Sequence, residues 1–289
     1  MRPVSNLASR GGQLPEWRRL KMRTDTGNLD GDWLDCRAAT PANWTGRGEE
    51  KALLYPSIAR RFLAFLHRFR IPALLYPSIT RRFLAFLHRF RIPAIPLSGT
   101  LLGWLRHCDI LPHTNDLDFA VPIDAVRPEW LHLLTQLTSP YLQLKLGNKL
   151  EDSLELSFRM NDTKVDLFIM YPLSHSHGFY VSAIAGSGWT QLLRQNYTLK
   201  QPMHWCRSAL RGVEMNVPCE AEEIIRTEYG DEWRTPVEGW AWYSSPHNVE
   251  SVAKFNYSLW TQYPEPSAVN ASADEDLIEA YLKKFPYPY

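Results

Sequence analysis

The chain has 289 residues, of which 45% are hydrophobic and 22% are charged, a balance typical of a folded globular protein rather than a disordered chain. Its formal net charge is +1, which argues against bulk electrostatic attraction to nucleic acid or to a membrane surface. A chain of this length can form one large domain with appendages.

The first 51 residues lack the pattern of a packed domain. They are rich in Gly, Arg, Asp and Thr, and this composition predicts a loosely ordered N-terminal extension over residues 1–51. Residues 1–23 have no apolar core of the signal-peptide type. A transmembrane helix needs about 18 consecutive apolar residues, and no such stretch occurs in the sequence.

A near-identical repeat follows the extension. Residues 52–72 recur as residues 73–93, and the two copies differ only where Ala59 is replaced by Thr80. Each copy has apolar residues at helical spacing, which predicts an amphipathic helix. Solenoid folds need three or more repeats, so a tandem duplication or an assembly error explains this pair better. We therefore expect a helix of the fold at residues 79–90 and a surplus helix at residues 52–72.

A helix with a glycine near its start is predicted from Ser98 to His107. Ser98 suits the N-cap position, because its hydroxyl can accept a hydrogen bond from an amide of the first turn. Gly99 lets the backbone approach a ligand closely. The N-terminus of a helix carries partial positive charge and amides that point outward. We therefore expect Ser98, Gly99 and the Thr100 amide to bind a phosphate group.

Two carboxylates follow in a D-x-D motif at Asp116 and Asp118. They alternate with apolar residues in a predicted strand, so both carboxylates point to the same face. Two carboxylates together with substrate phosphates are a typical set of ligands for Mg²⁺ or Mn²⁺. Two other pairs lie in polar stretches and are predicted to be solvated surface charge: Asp30/Asp32 and Asp274/Asp276.

A third carboxylate, Asp166, lies within an apolar strand predicted over residues 164–171. Burying a carboxylate there is costly unless a neighbouring group compensates its charge. One interpretation is that Asp166 is a third metal ligand, and we favour it because its strand can bring it to Asp116 and Asp118. The other is that Asp166 pairs with Lys164 or with an arginine.

The remaining pattern predicts an α+β fold, in which a mixed sheet carries helices mainly on one face. A hairpin-like turn at residues 161–163 is predicted to join the strands near 154–160 and 164–171. The predicted elements are a helix at 128–137, strands near 141–146, 154–160, 164–171, 179–185 and 212–217, and a helix at 220–229 that stops at Gly230.

Cysteines and glycosylation sequons bear on the compartment. The four cysteines form no C-x-x-C pair, so a zinc finger is unsupported. Cys206 and Cys219 can form a disulfide in an oxidising lumen or remain buried thiols, and the sequence leaves both open. Five N-x-S/T sequons are compatible with the secretory pathway. They lie at Asn43, Asn161, Asn196, Asn256 and Asn270.

Aromatic residues are concentrated in one segment near the C-terminal end of the predicted domain. Trp233, Trp240, Trp242 and Tyr243 lie close together in a stretch that also contains proline and glycine. Aromatic rings stack on the faces of sugars, although most aromatic residues of a folded protein fill its core. We expect this group to be the best candidate surface for an acceptor sugar.

Several of these segments resemble the LicD family of nucleotidyltransferase-fold phosphotransferases, and some are similar to its fukutin branch in particular. The resemblance covers roughly residues 73 to 250 in the same order, and it implies a nucleotidyltransferase-like domain over residues 73–289. Bacterial members often have an acidic residue where this chain has Asn115, a difference that bears on donor preference. The matching segments are 98–106, 116–118, 151–158, 165–168, 217–220, 228–233 and 242–249.

The resemblance implies metal-assisted phosphoryl transfer from a cytidine-diphosphate-activated donor. Asp116 and Asp118 would hold one or two Mg²⁺ or Mn²⁺ ions. Asp166 would complete the metal site and accept the proton of the attacking hydroxyl. Two further candidates for contact with the donor are His113 and Arg106, and Arg106 can equally pair with Asp109.

By resemblance to the fukutin branch, the reaction is transfer of ribitol 5-phosphate from CDP-ribitol to a glycan or glycoprotein acceptor in protein O-mannosyl glycosylation. That branch works in the Golgi and usually has an N-terminal membrane anchor. Membrane association of this protein would therefore depend on an anchor that the sequence does not contain. The alternatives are a LicD-type phosphocholine transferase that uses CDP-choline, and a catalytically silent glycan-binding scaffold. We expect no nucleic-acid partner, because the sequence has no basic stripe.

Overall fold

The structure is a computed structural model. It describes residues 75–111, 114, 116–147, 149–161, 163–185, 191–210, 212–254 and 260–286, together with Leu34 and Cys36. The predicted extension over residues 1–51 otherwise lies outside the described residues, as do the surplus helix over residues 52–72, His113 and Asn115.

The described residues form five helices and eleven strands. The helices are α1 (Leu75–Arg89), α2 (Ser98–His107), α3 (Pro128–Leu134), α4 (Ala221–Tyr229) and α5 (Ala271–Lys284). The strands are β1 (Ile95–Pro96), β2 (Asp116–Pro122), β3 (Tyr141–Leu146), β4 (Glu155–Met160), β5 (Thr163–Pro172), β6 (His177–Ala185), β7 (Gln191–Leu199), β8 (Trp205–Leu210), β9 (Val213–Pro218), β10 (Val249–Lys254) and β11 (Trp260–Gln262).

Nine of the described strands form one sheet. Its main path is β10-β7-β6-β5-β4-β3-β11, and the neighbours along this path are antiparallel. Strand β2 joins β5 in parallel, and β1 pairs with β2 in antiparallel orientation. Strands β8 and β9 form a separate hairpin. The predicted α+β fold with a mixed sheet is confirmed.

The two faces of the central strands differ in chemistry because side chains alternate along a strand. One face of β2 and β4 is apolar and packs against α1, where Phe83 contacts Phe119 at 5.7 Å and Phe158 at 5.4 Å between ring centroids. In α1 itself, buried apolar residues recur at helical spacing, from Ile79 to Leu87, and the buried Phe90 follows directly after the helix. The opposite face of β2, β5 and β4 carries the charged residues.

The C-terminal helix corrects one expectation. Asp274 was predicted to be solvated surface charge, but it is buried in the first turn of α5. Its carboxylate accepts hydrogen bonds from the Thr138 amide and hydroxyl, each at 2.7 Å, and from the Ser139 amide at 2.9 Å. Asp274 therefore fastens α5 to the loop before β3, a long-range contact that a local charge pattern does not reveal.

Two disulfides involve all four cysteines. Cys206–Cys219 joins the ends of the β8–β9 hairpin, so the disulfide alternative for this pair is confirmed. Cys36–Cys108 ties a segment of the N-terminal extension to the end of α2, a pairing that the sequence did not indicate. Among the described helices, none has the length and apolar character required to cross a membrane.

Candidate active site

Strands β2 and β5 bring the three predicted carboxylates together. In their parallel pairing, Asp118 lies beside Asp166 and Asp116 lies beside Lys164, so all four side chains share the polar face of the sheet. One carboxylate oxygen from each of Asp116, Asp118 and Asp166 lies within 4.8 Å of the other two. The convergence expected from the sequence is therefore present.

Asp166 is held from two sides. It is only 4% exposed, and its Oδ1 accepts a hydrogen bond from the Ser157 hydroxyl at 2.6 Å. Its Oδ2 lies 2.6 Å from the ammonium of Lys164. Burial raises the pKa of Asp166, while Lys164 and Ser157 oppose that shift. The ion pair with Lys164, one of the two interpretations drawn from the sequence, is thus formed in the same place as the carboxylate cluster.

The cluster concentrates negative charge. Burial raises the pKa of Asp118 well above its ordinary value, and the nearby carboxylates of Asp116 and Asp166 raise it further. Asp116 accepts a hydrogen bond from the Thr114 hydroxyl at 2.8 Å. A hard divalent cation prefers oxygen ligands and would relieve this repulsion, so the donor set fits Mg²⁺ or Mn²⁺.

The start of α2 differs from the prediction in one respect. The N-cap position is taken by Leu97, and Ser98 is the first helical residue, with a φ of 44°. The Ser98 hydroxyl donates to Glu228 Oε2 at 3.3 Å instead of accepting from its own helix. The N-cap assignment of Ser98 was therefore wrong, because a buried carboxylate from a distant part of the chain engages its side chain.

Thr100 and Gly99 connect α2 to the carboxylates. The Thr100 hydroxyl accepts a hydrogen bond from the Asp118 amide at 2.8 Å. Its own amide donates to the Leu97 carbonyl at 3.1 Å, so the prediction that this amide is available for a phosphate was wrong. A Cβ placed on Gly99 would lie 3.8 Å from Asp118 Oδ2, which shows how closely the helix start approaches the cluster.

Arg106 has a different environment from the carboxylates. Its guanidinium is buried, which lowers its pKa, and it donates to the Trp233 carbonyl at 3.1 Å and to His107 Nε2 at 3.0 Å. It lies about 12 Å along the helix from Ser98, given a rise of about 1.5 Å per residue. Arg106 therefore holds the segment that follows α4. A contact between Arg106 and the donor stays a prediction.

Comparisons with known proteins match the segment that carries the three carboxylates. Residues 92–220, which contain all three carboxylates and the start of α2, match the family described as LicD/FKTN/FKRP, nucleotidyltransferase domain. This segment therefore resembles a LicD-type nucleotidyltransferase domain. The predicted resemblance to the LicD and fukutin family is confirmed.

The relatives of this chain include fukutins. The chain is 35% identical over 167 residues to ribitol-5-phosphate transferase FKTN of Mus musculus, and 34% identical to that of Homo sapiens. Each match covers 57% of this chain and 34% of the fukutin, so the chain spans about a third of these relatives. An uncharacterised protein of Caenorhabditis elegans is 32% identical over 159 residues, covering 53% of this chain and 41% of that protein.

Three charged residues near the carboxylate cluster were not singled out from the sequence. Lys164 was considered only as a partner of Asp166. Glu155 lies on the same sheet face, is 6% exposed, and its Oε2 has no hydrogen-bond partner among the described residues. Burial raises its pKa to about 8. Glu228 is buried beneath Ser98, and burial raises its pKa to about 7. Its only local signal was its place in the 228–233 segment that resembles fukutins.

The aromatic segment over residues 233–243 does not form one surface. Trp233 belongs to the core, with the Arg234 guanidinium over its ring at 4.3 Å. Trp240 stacks on Tyr229 at 4.6 Å. Trp242 and Tyr243 are 47% and 51% exposed and meet edge to face. Of these four residues, only Trp242 and Tyr243 are exposed enough to form the predicted sugar-binding surface.

Proposed function

We propose that this protein transfers ribitol 5-phosphate from CDP-ribitol to a glycan acceptor in protein O-mannosyl glycosylation. The observation that carries the proposal is the cluster of Asp116, Asp118 and Asp166 beside the start of α2, within a LicD-type domain. Relatives named as ribitol-5-phosphate transferases favour ribitol as the transferred alditol.

Asp116, Asp118 and Asp166 would hold Mg²⁺ or Mn²⁺, which when bound supplies positive charge to the donor diphosphate. The ammonium of Lys164 adds a fixed positive charge on the same sheet face. Gly99 leaves room for a phosphate to approach Asp118, and Ser98 presents a hydroxyl at the same helix start. These residues bind and orient the phosphate that is attacked.

In the proposed transfer, an acceptor hydroxyl oxygen forms a bond to the phosphorus that bears ribitol. The bond between that phosphorus and the oxygen of CMP breaks, and CMP leaves with the bonding electrons. Asp166 accepts the proton of the attacking hydroxyl. Lys164, at 2.6 Å, balances the charge of Asp166 before that proton arrives.

The compartment proposed for this reaction is the Golgi or another part of the secretory pathway. The two disulfides support it, because disulfides persist in oxidising compartments and are rare in the cytosol. The partners would then be a CDP-linked donor and a glycoprotein acceptor. A nucleic-acid partner is not proposed, given the net charge of +1.

The test is incubation of the purified full chain with Mn²⁺ and a panel of CDP-linked donors, followed by mass measurement of a mannose-based glycan. We expect the glycan to gain the mass of one phosphoribitol with CDP-ribitol, and D118N to abolish the gain. A gain of phosphocholine from CDP-choline would instead identify the LicD-type alternative. Glycan binding without any mass change, equal in the wild type and D118N, would identify a silent scaffold.

A further inference from the structure

Glu228 is a buried carboxylate that joins three parts of the fold. It is 2% exposed and lies in the last turn of α4. Its Oε2 accepts hydrogen bonds from the Tyr197 hydroxyl on β7 at 2.7 Å and from the Ser98 hydroxyl on α2 at 3.3 Å. The hydroxyl of Tyr229 is a third donor. Within the part of the chain that the structure describes, hydroxyl groups make the side-chain hydrogen bonds to this carboxylate.

Stability of α4 does not account for Glu228. The C-terminal end of a helix carries partial negative charge, which disfavours a carboxylate in the last turn. Burial of the carboxylate adds a desolvation cost. A residue that is costly both to its helix and to the core is explained by the groups that it holds. Among these groups, Ser98 lies in the first turn of α2, next to Gly99, where an added Cβ would lie 3.8 Å from Asp118 Oδ2.

Ser98 has a backbone conformation that needs support. Its φ of 44° lies in the left-handed region, which residues other than glycine adopt at a cost of about 1–2 kcal/mol. The next residue, Gly99, approaches Asp118 Oδ2. The conformation of Ser98 therefore determines where the first turn of α2 lies relative to the carboxylates, and its hydrogen bond to Glu228 anchors that conformation.

We infer that Glu228 is a positioning residue of the transfer site, which fixes the Ser98 hydroxyl and the first turn of α2 for contact with the donor diphosphate. The inference rests on the proposed function and adds a residue outside the matched segment 92–220. Glu228 acts through Ser98, so removing either partner should have the same consequence for binding of a diphosphate. That consequence should be absent when a different hydrogen bond of α2 is removed.

The experiment measures CDP affinity by calorimetry in the presence of Mn²⁺, together with kcat and KM for CDP-ribitol, in the full chain. The variants are S98A, E228L and the double variant. E228Q is included because it keeps an oxygen acceptor for the hydroxyls. The matched control is S208A, which removes the buried hydrogen bond from Trp104 Nε1 of α2 at 3.0 Å, away from the helix start.

We expect S98A and E228L each to weaken CDP binding about three- to tenfold, the range for one lost hydrogen bond, and the double variant to lose no more than either. E228Q should recover most of the affinity, and S208A should lower the melting temperature without changing CDP affinity. If E228L fails to fold, loss of affinity in S98A combined with recovery in E228Q still supports the inference, and unchanged affinity in S98A overturns it.

Failure of this inference can be told apart from failure of the proposed function. Transfer of ribitol phosphate by the wild type, with S98A and E228L changing only the melting temperature, would overturn the positioning role and leave the reaction standing. CDP binding that weakens equally in S98A and E228L, without transfer of any group, would support the positioning role and overturn the reaction. A wild type that binds no CDP would overturn both.

Discussion

At the scale of single residues, the polar face of β2, β5 and β4 places one ammonium among several buried acids. Lys164 pairs with Asp166, and the charges of Asp166 and Glu155 both raise the pKa of Lys164. The lysine therefore performs part of the neutralisation that a divalent cation would perform. This arrangement makes stability and metal binding depend on the same few side chains.

Replacing Lys164 with methionine separates these two effects. In metal-free protein we expect K164M to lose about 2 kcal/mol of stability, a value reduced from that of a fully buried pair because Lys164 is partly exposed. Mn²⁺ should stabilise K164M more than it stabilises the wild type, since the cation then meets uncompensated carboxylates. Thermal unfolding with and without Mn²⁺ measures both effects. Equal stabilisation of the two proteins would contradict this explanation.

Glu155 gives a prediction about pH. Its pKa is about 8 in the folded chain and near 4.5 when exposed, so the folded state keeps its proton over a range where the unfolded state loses it. The wild type therefore loses stability between these pH values, by at most about 1.4 kcal/mol per unit. E155Q does not titrate and avoids the loss.

The check is thermal unfolding of metal-free wild type and E155Q at pH 5, 6.5 and 8. The two proteins should be closest in melting temperature at pH 5, and E155Q should become progressively the more stable one toward pH 8. A difference that stays constant with pH would show that Glu155 is ionised in the folded protein.

Residues whose signal is local could be predicted from the sequence. Asp116 and Asp118 are two apart in a strand, so period two places them on one face, and Asp166 is conspicuous in an apolar strand. Prediction from the sequence failed where the hydrogen-bond partner of a residue lies far away in the sequence. Ser98 was taken for an N-cap because its partner, Glu228, is 130 residues away.

At the scale of elements, α2 is placed by two glycines with different surroundings. A Cβ on Gly103 would lie 2.5 Å from the Asp109 carbonyl oxygen and 2.9 Å from the Leu111 amide nitrogen, so the chain after the helix packs directly on it. A Cβ on Gly99 would meet Asp118 Oδ2 and a Leu111 methyl only at ordinary contact distance. One glycine is needed for packing, and the other faces the proposed phosphate site.

The pair G103A and G99A tests this division within one helix. We expect G103A to lose about 2–3 kcal/mol of stability through overpacking, and G99A to remain within about 0.5 kcal/mol of the wild type. G99A should weaken CDP binding by about tenfold, because its methyl group lies where the phosphate approaches Asp118. Unfolding and calorimetry measure these effects. If G99A bound CDP as tightly as the wild type does, this result would contradict binding of the phosphate at the start of α2.

Elements with a strong apolar period were predicted with small boundary errors. The stripe in α1, the β4–β5 hairpin and the helix that stops at Gly230 all lie where the sequence placed them. Strand β7 was missed, because polar residues occupy much of it and its alternation of buried and exposed positions depends on β6 and β10. Helix α5 was missed as well, since its docking depends on the buried contacts of Asp274.

At the scale of the whole molecule, two disulfides close loops of very different length. Cys36–Cys108 spans 72 residues, whereas Cys206–Cys219 spans 13. A disulfide restricts the unfolded chain, and the restriction grows with the loop that it closes. The Cys36–Cys108 disulfide also joins the N-terminal extension to the end of α2, the helix that begins at the proposed active site.

Loss of the longer-range disulfide should therefore cost more. The chain-entropy relation gives about 4 kcal/mol for Cys36–Cys108 and about 3 kcal/mol for Cys206–Cys219. We expect C36S/C108S to unfold at lower denaturant concentration than C206S/C219S, and both to unfold below the wild type. Chemical denaturation under non-reducing conditions measures the order. The reverse order would show that the hairpin disulfide is the more important constraint.

The proposed reaction depends on a divalent cation bound by the carboxylates of β2 and β5. Anomalous diffraction from crystals soaked with Mn²⁺ tests this most directly. We predict one or two manganese peaks with oxygens of Asp116, Asp118 and Asp166 about 2.2 Å away, and their loss in D118N crystals. Wild-type crystals with no manganese at these three side chains, and with Lys164 still paired to Asp166, would contradict the proposed metal site.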